Sequence, residues 1–85
     1  MRALQYAGRG RAEIVELPVP SIGDDEVLVA ARSVGVCHSD IELLEGRYII
    51  PFFYPQIPGH EWSGQVVRVG RSVTGFGPGD RVVGE

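Results

Sequence analysis

PGHEWSGQVVRVG, residues 58–70, decides how this chain is built. A proline-glycine corner opens it, and the valine-rich run behind has the composition of a β-strand, which we place at Glu61–Val69. His60 sits between corner and strand, where it can serve a site at the strand's entrance.

The pattern repeats outward in both directions. Twelve glycines and six prolines cut the chain into short pieces, most of them alternating or rich in valine. The remaining strands are expected at Arg2–Ala7, Arg11–Leu17, Glu26–Val36 and Arg81–Gly84. PSIGDDE reads as the turn before the third strand, and in GFGPGD Pro78 and Gly79 suit the two central positions of a type II turn. One helix is expected. Ser39, Asp40, Ile41 and Glu42 match the capping box S-x-x-E with Ser39 as cap, Leu43 and Leu44 supply an apolar face, and Gly46 is a stop. YIIPFFYPQIP, with its three prolines, reads as an extended loop. The fold class is therefore mainly β with one short helix. GDRVVGE reads as a strand with no closing turn or cap, the pattern of a short last strand or of a fragment.

Composition narrows the function. At 85 residues, 44% of them hydrophobic and 22% charged, the chain suits one small globular domain. The eight basic residues are all arginines, scattered and outnumbered by eleven acids, which argues against nucleic acid as a partner. No apolar run approaches the roughly 18 residues of a membrane span, and MRALQYAGRG has no signal-peptide core, so a cytoplasmic protein without a membrane partner is expected. One cysteine forms no internal disulfide, which agrees with a reducing compartment.

That cysteine lies in GVCHSD, residues 35–40. Cys37 and His38 are neighbours on an extended segment and point in opposite directions, so they are poor partners for one ion. The only other histidine is His60, and a thiolate with a distant imidazole is suitable chemistry for a catalytic zinc, which keeps one coordination position open. Two such donors are too few for a closed structural site. Alternatives stay open at this level: a lone cysteine is commonly a small buried hydrophobe, and a Cys-His nucleophile is disfavoured because this strand context lacks the helix N-terminus that activates catalytic thiols. Neither GRGRAE nor GFGPGD is a dinucleotide fingerprint, since Glu13 replaces the third glycine of the first and the second holds a proline with only five residues behind it.

GVCHSD, PGHEWSGQVVRVG and FGPGDRVV, in this order and at these separations, resemble the N-terminal part of the zinc-dependent alcohol and polyol dehydrogenases of the medium-chain dehydrogenase/reductase superfamily. MRALQY is similar to that family's first strand, and VELPVPSIGDDEVLVAARSVGVC to the segment leading to its first zinc ligand. The resemblance implies a GroES-like, partly open β-barrel, cut short at its C-terminal end, with residues 1–85 as the N-terminal part of the catalytic domain and the Rossmann cofactor domain outside this chain. It implies Zn2+ held by Cys37 and His60, with Glu61 beside it as a transient ligand and a third protein ligand further along. Ser39 would bond the substrate hydroxyl and begin the proton relay, Asp40 would orient His60, and His38 would contact the phosphates of NAD or NADP. The substrate class would be a small alcohol or polyol and the parent enzyme a homo-oligomer. Many relatives carry a relay histidine five residues after the first ligand; this chain has Glu42 there, which stands as a candidate catalytic residue with the proton's exit route left open. The competing expectation is a stand-alone GroES-like barrel that binds or assembles without catalysis, with Cys37 and His60 merely packed.

Overall fold

The computed structural model describes residues 1–85, in the order β1 (Arg2–Gly8), β2 (Arg11–Glu16), β3 (Val27–Gly35), α1 (His38–Glu45), β4 (Glu61–Val69) and β5 (Arg81–Gly84). The strands divide into a two-stranded sheet, β1-β2, and a three-stranded sheet, β3-β4-β5, all pairings being antiparallel. Neither sheet closes into a barrel. The five expected strands are all present, with ends shifted by one residue at β1, β2 and β3. The chain forms two compact units: Met1–Pro18 with Val36–Gly59, and Val19–Gly35 with His60–Glu85.

In the first unit, β1 and β2 form a hairpin whose register runs from Arg2 opposite Glu16 to Gly8 opposite Arg11. The proline-rich stretch is a loop, as its composition requires, but it is tied to the hairpin. Tyr6 and Gln56 exchange both backbone hydrogen bonds, at 2.7 and 3.0 Å. Tyr6 and Leu43 supply the buried apolar contacts of this unit, and the half-buried Tyr54 donates its hydroxyl to the Leu43 carbonyl at 2.5 Å.

The helix starts two residues earlier than expected. Cys37 is its N-cap, with extended φ −112 and ψ 160, and Ser39 lies inside the first turn, so the S-x-x-E capping box does not form. Asp40 takes the closing role instead: its Oδ2 accepts the Cys37 backbone N–H at 3.0 Å. Cys-x-x-Asp thus does what Ser-x-x-Glu would do, because an acid at the third helical position reaches back to an otherwise orphaned donor. The C-terminal expectation holds. Gly46 takes the left-handed conformation, φ 76, while its N–H and that of Arg47 satisfy the Leu43 and Glu42 carbonyls.

In the second unit β4 is central, with β3 on one edge and β5 on the other. Val66 is the buried side chain of its core, at 1% exposure. The register pairs Val27 with Val69 at one end and Gly35 with Glu61 at the other, interrupted by irregularities at Leu28/Val29 and Ala31/Ser33. Two turns frame the sheet. Gly77–Asp80 is the type II turn expected from Pro78-Gly79, with Gly79 at φ 95 and the Asp80 N–H bonded to the Gly77 carbonyl at 3.1 Å. Before β3, the Asp24 and Glu26 carbonyls accept from Ser72 and Gly70, and Arg71 pairs with Asp24 at 3.1 Å.

Candidate functional site

The first unit gathers five of the residues singled out in the sequence on one short helix and its cap. Cys37 is a free thiol, half-buried. Its Sγ lies 3.3 Å from the Ser39 Oγ, a hydrogen bond in which either group can donate. Because the chain enters the helix at Cys37, sulfur and hydroxyl come from the same turn, and the thiol stands at a helix N-terminus. The strand context expected for Cys37 is therefore wrong, for the same reason that Ser39 is not the cap: the backbone turns two residues sooner.

Asp40 is the buried charged residue of the chain, at 6% exposure. Burying a carboxylate is costly unless hydrogen bonds meet it, and the Cys37 N–H meets one oxygen. Its negative charge is also felt by Tyr6. Burial first, and the Asp40 carboxylate second, push the Tyr6 phenol above its ordinary value. Nothing in the sequence motif pointed to Tyr6, which lies 34 positions away; the alternation of β1 marks it only as one of several inward residues.

His38 and Glu42 lie on another side of the helix. They are four residues apart and meet as neighbours on one face, with His38 Nε2 3.0 Å from Glu42 Oε1. His38 is largely in solvent, at 80% side-chain exposure, whereas Glu42 is at 32%. The two residues assigned separate roles by resemblance are thus brought together.

The second unit carries His60 and Glu61. Both are exposed, and His60 Nε2 is 4.0 Å from Glu61 Oε1. Glu61 opens β4 opposite Gly35, and its carboxylate packs over that glycine, where a Cβ would meet Glu61 Oε2 at 3.4 Å. The donors are a sulfur in one unit and an imidazole and a carboxylate in the other. As chemistry, thiolate, imidazole and carboxylate suit zinc.

Residues 23–85 match the family described as "Alcohol dehydrogenase GroES-like domain". The chain belongs to that family. A D-altritol 5-dehydrogenase of Agrobacterium fabrum (strain C58 / ATCC 33970) is 46% identical over 83 residues, 98% of this chain and 24% of that protein. Among solved structures, galactitol-1-phosphate dehydrogenase of Escherichia coli superposes with a TM-score of 0.89 at 33% identity, over 98% of this chain and 24% of the other. A zinc-binding dehydrogenase of Sinorhizobium meliloti 1021, bound to NADP, gives a TM-score of 0.86 at 32% identity, over 94% of this chain and 23% of the other. This GroES-like domain sequence therefore spans about a quarter of the length of the proteins it matches.

Proposed function

We propose that these residues are the N-terminal part of the catalytic domain of a zinc-dependent dehydrogenase, which moves a hydride between the CH–OH group of an alcohol or polyol and NAD(P). Cys37 and His60 serve as two of the metal's protein ligands. The observation that carries this reading is the β3–β4 register. Gly35 faces Glu61, Cys37 follows Gly35 by two residues, and His60 precedes Glu61 by one. His60 and Glu61 thus enter the ladder at the end where the chain leaves it toward Cys37.

The donor chemistry fits zinc, which when bound polarises an alcohol oxygen and eases loss of its proton. The rest is work for the chain's own side chains. Cys37 and His60 supply sulfur and nitrogen. Glu61, next to His60, offers a carboxylate that can exchange with water there. Ser39, whose Oγ lies 3.3 Å from the Cys37 sulfur, is the side chain to which we assign the first proton transfer from a substrate hydroxyl. Glu42 is the acidic group we assign to the proton's exit in place of the relay histidine of other family members, and its one side-chain partner is the exposed His38. To the exposed His38 we assign contact with an anionic phosphate of the nicotinamide cofactor. The cofactor itself would be held by parts of the enzyme outside these 85 residues, and D-altritol and galactitol-1-phosphate, handled by two of the similar proteins, favour a polyol substrate.

The test is zinc content together with turnover in the full-length enzyme. Cys37→Ser and His60→Ala should each lose bound zinc by elemental analysis and lose NAD(P)-dependent oxidation of polyols. Variants that keep full zinc occupancy would refute the assignment.

A further inference from the structure

We propose that one face of the β3-β4-β5 sheet carries an anion site, in which Arg32 and Arg81 hold a phosphate group, free or as a small monoester. The proposal stands apart from the zinc reading and uses none of its residues.

The sheet register builds the site. Side chains alternate along β4, so Ser63 and Gln65 share one face. Gln65 has Arg81 directly opposite on β5, and Ser63 lies between Ser33 on β3 and Val83 on β5. On β3 the pairing skips from Ala31 to Ser33, which leaves Arg32 as an extra residue in the ladder. A bulge of this kind re-aims a side chain. The Arg32 guanidinium reaches across to β4, where its Nη2 donates to Gln65 Oε1 at 3.3 Å. The Gln65 amide is itself fixed, because its Nε2 donates to the Gly79 carbonyl at 3.1 Å. Arg32 and Arg81 therefore come from the two strands that flank β4, roughly 10 Å apart at the backbone by strand spacing, a gap that two arginine side chains can close onto one ion. Together with Ser63, Gln65 and Val83 they line an open cavity of about 420 Å³.

Charge selects what the cavity takes. None of the residues lining it is acidic. Asp80, next to Arg81 in the chain, has its Oδ2 accepting the Gly77 N–H at 2.9 Å. Arg11, Arg47 and Arg71 each meet a carboxylate, on Glu13, Glu45 and Asp24 respectively, whereas the partner of Arg32 is a neutral amide. Two guanidinium groups above one strand repel, and an anion between them removes that cost. Each presents a planar fork suited to phosphate or carboxylate oxygens, and the Ser63 hydroxyl adds a further donor. A phosphate monoester offers its oxygens tetrahedrally to donors on separate strands, which a planar carboxylate cannot do, so phosphate is the better match. The cavity also has room for the organic part of a small ester.

The experiment uses the full-length enzyme saturated with its nicotinamide cofactor, so that the cofactor's own phosphate contacts are already occupied. Inorganic phosphate and glycerol phosphate are titrated calorimetrically into wild type, Arg32→Gln, Arg81→Gln and, as a control, Arg71→Gln. All three arginines are exposed, so the variants should fold, which their melting temperatures check. Wild type should bind with a Kd of about 1 mM or tighter, and binding should weaken as salt rises. Arg32→Gln and Arg81→Gln should each bind about tenfold or more weakly, the worth of a charged hydrogen bond, and Arg71→Gln should match wild type. Tighter binding of glycerol phosphate than of inorganic phosphate would identify an ester as the ligand, and the reverse order the free ion. Acetate binding as tightly as phosphate would overturn the choice of a tetrahedral anion. Wild type that binds neither phosphate, or binding that either Arg32→Gln or Arg81→Gln leaves unchanged, would overturn the site itself, whatever the outcome of the zinc measurements.

Discussion

Gly64 occupies the middle of the central strand, paired with Ala31 on one side and Val82 on the other. It is buried, and a methyl group built there would lie 2.6 Å from the Ala30 carbonyl oxygen and 2.6 Å from Val29 Cγ1. Comfortable carbon contacts begin near 3.5 Å, so Gly64→Ala requires β3 and β4 to part by roughly 1 Å. One obstacle is main chain, which does not swing aside as a side chain can. Overpacking of this kind costs about 1–3 kcal/mol, and the restriction of the unfolded chain by alanine returns about 0.4–1 kcal/mol. We expect a net loss of about 1.3 kcal/mol, roughly a tenfold rise in the unfolded fraction. Urea unfolding followed by the fluorescence of Trp62, two residues away on β4, measures it, with Gly77→Ala as control. Gly77 has open space around a Cβ and no left-handed φ, so its alanine variant should be neutral or slightly stabilised. Because Gly64 keeps β3 and β4 together behind the Gly35–Glu61 pair, its alanine variant should also weaken zinc binding. Equal stability of the two variants would refute the close approach of β3 and β4.

Ser39→Ala should cut turnover of the full-length enzyme by about 10²–10⁴-fold, the worth of a positioned proton-transfer group, while zinc content stays intact. Since Asp40 and not Ser39 closes the helix, its stability cost should fall below the roughly 1 kcal/mol of a lost cap; zinc loss with unchanged turnover per bound metal would contradict the role. Tyr6 gives a pH prediction. Its phenol ionises in the folded state above the ordinary 10.0, so the unfolded chain releases that proton first. Stability from this group is fully present below pH 10 and declines as pH rises through the folded value. Tyr6→Phe should flatten that alkaline decline in unfolding measured between neutral and strongly alkaline pH, and an unchanged slope would show that Tyr6 is not its source.

Sequence by itself determined the strands and most of the turns. Valine-rich runs bounded by glycine and proline leave little choice, because only an extended chain packs β-branched residues well and only glycine accepts φ 95 after Pro78. It also isolated Cys37, Ser39, Asp40, His60 and Glu61 as the chemically distinctive residues. Tertiary structure decided three other things. The helix start was one: Cys37-x-x-Asp40 and Ser39-x-x-Glu42 both satisfy local capping rules, and the buried place given to Asp40 selects the first. The second was the pairing of β3 with β4, which lie 25 residues apart between their facing ends; strand composition says that a segment will pair but not with which, because backbone hydrogen bonds carry no residue identity. The third was the setting of Asp40 against Tyr6. Burial and electrostatic neighbourhood depend on which distant segments share a core, so no local pattern in the chain encodes them.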